Sequence, residues 1–180
     1  MIERERRGRM LLGIARDAIA ATYAEAPARW PEPWLEEHAA SFVTLRLEGE
    51  LRGCIGSIEA HRALGVDVHA NARGAAFRDP RFAPVTPREV GVLEVEVSVL
   101  SQPEPLAAQS ETEALALLRA GIDGVIVEYE GRRATFLPQV WDGLPDPLDF
   151  LSQLRLKAEL PARFWHRDLR LSRYTVEKHR

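Results

Sequence analysis

The stretch "SFVTLRLEGELRGCIGS", residues 41–57, decides the fold. Val43, Leu45 and Leu47 fall on one side of an extended chain, and Phe42, Thr44 and Arg46 fall on the other. That period of two belongs to a strand. Glu48-Gly49-Glu50 supplies a turn, and a returning strand from about Leu51 completes a β-hairpin. Strands joined by so tight a turn are antiparallel, unlike the strands of a strand–helix–strand unit. Cys54, the one cysteine among 180 residues, lies at or just beyond this second strand, between Gly53 and Gly56. Those glycines permit backbone angles or close approaches that a side chain would block. Regular alternation would put Arg52 and Cys54 on the same face.

Before the hairpin, "RGRMLLGIARDAIAAT" spaces Met10, Leu11, Ile14, Ala18 and Ala21 for a helix over about 3–23. The arginines at 4, 6, 7 and 9 read as its solvated face, with a local basic patch as the alternative. After the hairpin, "HRALGVDVHANARGAAF" sets Leu64, Val68, Ala72 and Ala76 four apart on one helical stripe. "RDPRFAPVTPRE" is a loop stiffened by three prolines. "VLEVEVSVL" is a strand with Leu93, Val95, Val97 and Val99 on its packed face. Further on, Ser110 and Glu113 form a capping box, and "GVIVEYE" and "RRATFLPQVW" make a second pair of strands. A helix in "PDPLDFLSQLRLKAEL" is capped by Asp146, with Pro147 in its first turn. One terminal strand lies in "LRLSRYTVE". Hairpins separated by helices define an α+β fold with antiparallel or mixed sheets.

Composition limits the function. With 46% apolar and 28% charged residues the chain reads as an ordinary globular protein. A net charge of −3 gives no overall pull toward nucleic acid or an anionic membrane. No segment approaches the ~20 apolar residues that a membrane helix needs. A lone cysteine excludes an internal disulfide and cysteine-rich metal sites, which makes the cytoplasm the simplest compartment. No Walker-type or dinucleotide fingerprint is present, so neither a metal nor a cofactor is expected.

Cys54 reads as a structural thiol, a ligand-binding group or a nucleophile. The last role requires a base and a site for the developing oxyanion. Backbone N–H groups near Gly53 and Gly56 could serve the oxyanion, and His61 or His69 could approach only through the fold. In "DPRF", Asp79 can hold a turn or an arginine while Arg81 is presented to a carboxylate or phosphate. Gln139, in "FLPQVW", can donate and accept in a cleft.

"LRGCIGS", "DPRF", "ATFLPQVW" and "FLSQLRLKAELPARFW", in that order, resemble the AMME syndrome chromosomal-region protein family. Its prokaryotic members are called AmmeMemoRadiSam system protein A. The resemblance covers about residues 5–176. It implies a single AMME-type domain over 1–180, made of two unequal interlinked subdomains. The N- and C-terminal segments share the larger subdomain, part of the middle forms the smaller, and a cleft between the lobes is lined by the LRGCIG motif. Carried over residue by residue, it marks Arg52, Gly53, Gly56, Asp79, Arg81 and Gln139 as substrate-binding. Cys54 and His69 are the candidate catalytic pair.

The family's system name implies a Memo-like protein and a radical S-adenosylmethionine enzyme as partners. This chain would be the accessory or substrate-binding component, with a small-molecule or macromolecular substrate. The alternative is a cysteine-dependent enzyme acting through Cys54 on a small molecule, a peptide or a nucleic-acid component. Relatives commonly read "LCxKAGL" where this chain has "LRLKAEL", so Arg155 replaces a second cysteine and Glu159 a glycine. A mechanism built on a cysteine pair is therefore disfavoured.

Overall fold

The computed structural model describes residues 2–21, 26, 27 and 29–180. Along the chain run α1 (Ile2–Ala20), β1 (Ser41–Leu47), β2 (Glu50–Gly56), α2 (Leu64–Phe77), α3 (Pro87–Val90) and β3 (Glu94–Leu100). They are followed by β4 (Glu104–Pro105), α4 (Glu111–Leu117), β5 (Gly124–Tyr129), β6 (Arg132–Phe136), α5 (Pro147–Lys157), β7 (Arg170–Tyr174) and β8 (Val176–His179). Positions 22 and 23, the expected end of the first helix, lie outside the described residues. The chain divides into two compact units, residues 1–100 with 177–180 and residues 101–176. The fold is α+β.

In the first unit the sheet order is β2-β1-β3-β8. β1 pairs antiparallel with both β2 and β3. Glu48 and Gly49 carry positive φ angles of 53° and 82°, the arrangement of a two-residue hairpin turn that follows the sheet's twist. Val43, Leu45, Val95 and Val97 point from one sheet face into a core completed by Leu11, Ala15 and Ile19 of α1 and by Val68 and Ala72 of α2. Those positions are the apolar stripes expected from period.

A carboxylate anchors α2 to the hairpin. Asp67, 1% exposed, accepts from the Ser41 amide (2.8 Å), the Ser41 hydroxyl (2.6 Å), the Ser57 hydroxyl (2.8 Å) and Arg62 Nε (2.8 Å). Asn71, one turn along, donates to Asp67 (2.9 Å) and to the Ser41 carbonyl (3.0 Å). Both ends of the hairpin are thus fastened to one helix. A buried carboxylate needs such a full set of donors to offset its lost hydration.

The second unit has sheet order β4-β7-β5-β6, with every pairing antiparallel. Val125 and Val127 pack with Phe150, Leu151 and Leu154 of α5, and Trp141 stacks on Phe150 at 3.8 Å. Asp146 caps α5 by accepting from the Leu148 and Asp149 amides, as its position predicts. At α4, Ser110 accepts from the Glu113 amide, but Glu113 reaches the Gln109 amide instead of closing the expected box on Ser110.

The single expected terminal strand is two strands. β7 pairs with β5 and β4 in the second sheet, and β8 lies beside β3 in the first. Arg155, in the place of the relatives' cysteine, is fully buried and donates to Glu111 (2.7 Å) and to the Ala162 carbonyl (2.8 Å).

Candidate functional site

Cys54 stands on an edge strand, and its surroundings follow from the register. It is paired with Thr44, and its Sγ lies 3.4 Å from the Thr44 hydroxyl. Thr44 is paired in turn with Glu96 on β3. Cys54, Thr44 and Glu96 therefore form a row across three strands, on the sheet face opposite the core. The thiol is partly exposed there.

The two flanking glycines serve packing. A Cβ on Gly53 would sit 2.1 Å from the Ala75 carbonyl oxygen, so β2 and α2 meet backbone to backbone at that point. On Gly56, a Cβ would lie 2.2 Å from the ring of Phe42, its cross-strand partner. The glycine pair thus answers to close approach on both faces of the strand.

The outer edge of β2 is covered by "DPRF". The Cys54 amide donates to Asp79 Oδ2 at 2.9 Å, and Arg81 Nη2 donates to the Cys54 carbonyl at 3.2 Å. Asp79 is 4% exposed and also accepts from Arg81 Nε (2.9 Å), Nη2 (2.7 Å) and backbone N (3.1 Å). The Arg81 guanidinium, opposed by burial and helped by the Cys54 and Arg81 amides, holds the Asp79 carboxyl well below the usual carboxylate range. The polar groups that an edge strand would leave open at Cys54 are therefore filled from within the chain.

Arg52 departs from the expected geometry. The β1–β2 register shifts between Leu45 and Arg46, so Leu45 faces Gly53 while Arg46 faces Leu51. This bulge leaves Arg52 out of the ladder and breaks the alternation relating it to Cys54. Its fork instead grips the following loop. Nε donates to Glu89 at 2.8 Å, Nη1 to the Ala83 carbonyl at 2.8 Å, and Nη2 to the Pro84 carbonyl at 3.3 Å. Arg52 first, and then the Thr86 amide and hydroxyl, lower the Glu89 pKa to about 2.

His69 does not join this cluster. α2 packs against the face that carries Gly53 and Ile55, so the sheet stands between the His69 helix and the Cys54 thiol. Burial, with Arg73 second, keeps the His69 imidazole below its ordinary pKa. No Cys54–His69 hydrogen bond is formed. Gln139 is exposed and belongs to the second unit. Among the described residues, no group of three His, Cys, Asp or Glu side chains could hold a metal ion. No helix there is long and apolar enough to cross a membrane. The Asp67–Asn71–Ser41–Ser57 cluster went unread in the sequence, although two polar residues one turn apart in an apolar helix were its available sign.

These features define a class: an α+β protein whose first hairpin carries a thiol row, with an Asp–Arg clamp along its edge. The AMMECR1 family model matches residues 12–179, and the chain belongs to that family. A protein of Thermofilum pendens is 40% identical over 94% of this chain and 87% of its own length. One of Methanothermobacter thermautotrophicus is 38% identical over 94% and 92%. The crystal structure of the uncharacterized protein PH0010 from Pyrococcus horikoshii is similar, with a TM-score of 0.79 and 34% identity. The similarity covers 97% of this chain and 91% of that one.

Proposed function

We propose that the chain is a cytoplasmic accessory or substrate-binding component of a modification system containing a Memo-like protein and a radical S-adenosylmethionine enzyme. In this reading the polar face of the first sheet, centred on Cys54 and Thr44, receives the partner or its substrate. One observation carries it: the Cys54 backbone is fixed through both its N–H and its C=O, while its side chain, only partly buried, lies beside a hydroxyl. A preorganised, partly exposed polar row suits recognition. The arginines 52 and 81 act here as supports, since each guanidinium is engaged inside the chain.

The test is co-expression with the Memo-like and radical S-adenosylmethionine proteins of the same genome, followed by cross-link mapping. Cross-links from Thr44 or Cys54 are expected, with Cys54→Ser retaining the complex and Cys54→Phe breaking it. A chain that stays uncomplexed beside both proteins sinks this reading. If Cys54→Ser abolishes turnover of a substrate by the isolated chain, the cysteine-dependent enzyme takes its place.

A further inference from the structure

A groove runs along α1 within the first unit and meets the Cys54 row only at Thr44 and Glu96. One stretch, of about 520 Å³, lies between α1 and β8 and is lined by Arg9, Leu12, Lys178 and Arg180 among others. The next, of about 500 Å³, is lined by Arg16, Arg180, Leu93, Glu94 and Val95 and extends to Arg46 and Thr44. Arg180 lines both, so the two stretches adjoin at its side chain. Arg9, Leu12 and Arg16 follow a three- and four-residue spacing, which places them on one helical stripe.

The groove is cationic in a chain whose net charge is −3. Arg4 is paired with Glu177, and Arg180 with Glu96. Arg9, Arg16 and Lys178 have no ion-pair partner among the described residues. Each is exposed.

The floor of the second stretch is an open strand edge. Ser101 bonds to Thr175 at one end of the β3–β8 pair, and Arg180 meets Glu96 at the other, so β8 runs antiparallel to β3. β8 has four residues and β3 seven. Beyond Glu96 the outer edge of β3, at Glu94 and Val95, has no strand beside it among the described residues. An extended peptide can add there through main-chain hydrogen bonds, with its side chains alternating between the walls.

We infer that this groove takes an acidic peptide segment, laid as a strand along the open end of β3 with its carboxylates on Arg9, Arg16 and Lys178. Charge complementarity selects acidic side chains, and the half-buried Leu12 offers an aliphatic contact between them. Arg9 and Arg16 lie roughly 10 Å apart along the helix axis, about the span of three extended residues. Glu5, Glu94 and Glu96 in the same walls restrict the occupant to a segment with a few spaced carboxylates, because an unbroken phosphate array would have to pass over them. The assignment does not depend on the role of Cys54.

The probe is a short fluorescein-labelled peptide of alternating glutamate and valine, titrated against the full chain by fluorescence anisotropy. Saturable, salt-weakened binding is expected. Arg9→Glu combined with Arg16→Glu should weaken it roughly tenfold. Lys178→Glu alone should weaken it less, and Arg88→Glu, elsewhere on the surface, should leave it unchanged. Alternate N-methylation of the peptide should weaken binding as well, because it removes main-chain donors. Three results would each overturn the inference: no saturable binding, equal binding of the N-methylated peptide, or an oligothymidylate that binds as tightly and responds to the same substitutions.

Discussion

Asp79 accepts the Cys54 amide hydrogen at 2.9 Å, and the arginine two residues further on returns a bond to the Cys54 carbonyl. A segment 25 residues away along the chain therefore takes the place of a neighbouring strand at that one position. The sequence offers Asp79 a turn or an arginine to hold; it holds both, through the Arg81 backbone N–H and guanidinium, and it also fixes the residue that carries the thiol.

Asp79→Ala leaves the partly buried Cys54 amide without its acceptor and frees Arg81. A loss of about 1–3 kcal/mol is expected from that amide alone. Hydrogen exchange should show faster exchange at residues 50–56, and iodoacetamide should modify Cys54 faster. Unchanged exchange across β2 would mean that the clamp contributes nothing.

Gly53→Ala tests whether this glycine serves packing. Its new methyl would meet the Ala75 carbonyl, a backbone atom that cannot rotate away. A loss of roughly 3 kcal/mol is expected in urea denaturation, with no ligand present. A variant as stable as the parent but unable to bind would instead make Gly53 a recognition residue.

Acid should loosen this edge before the rest of the unit. Asp79 and Glu89 are both held below their ordinary range, so the unfolded chain takes up their protons first as the pH falls below about 4. The stability they supply is whole above that pH. It drains away on the acid side, and the Glu89 share is gone once the pH has passed below about 2, where Glu89 itself protonates. Melting temperatures across that window should fall less steeply for Glu89→Gln than for the parent chain. An identical slope would exclude Glu89 as a source of the acid sensitivity.

Glu159→Gly should stabilise the second unit. Glu159 follows α5 with φ at 60°, and the Leu160 amide bonds back to the Arg155 carbonyl while the Glu159 amide bonds to that of Leu156. Those two bonds make a Schellman ending, whose left-handed residue is usually glycine. A side chain in that conformation costs about 1 kcal/mol, recovered on substitution and measurable in urea denaturation. No gain would mean that the Glu159 side chain makes compensating contacts.

The hairpin was legible because strand alternation and a two-residue turn are local signals, and Glu48-Gly49 carried both. Stripes such as Val68 and Ala72 were legible for the same reason. The Arg52 bulge was not, since Leu51, Gly53 and Ile55 read as one alternating face in the sequence, although the skipped residue turns Leu51 to the other face. The Asp67 anchor joins positions 41, 57, 62 and 71, and such a cluster exists only after the helix has docked. The split at Thr175 was hidden because both halves alternate in the same way, and nothing local says that they serve different sheets. The placement of Cys54 on the sheet face away from α2 needed the register. That is why the sequence allows His69 beside it and the fold does not.

The assignment of residues 177–180 to the first unit has a consequence for synthesis. While the ribosome is still making the middle of the chain, β3 has β1 on one flank and an empty flank on the other. The N-terminal body therefore waits, one strand short and with an adhesive border uncovered, through the translation of 76 intervening residues. A nascent chain stalled before Val176 should be markedly more prone to self-association than the finished one.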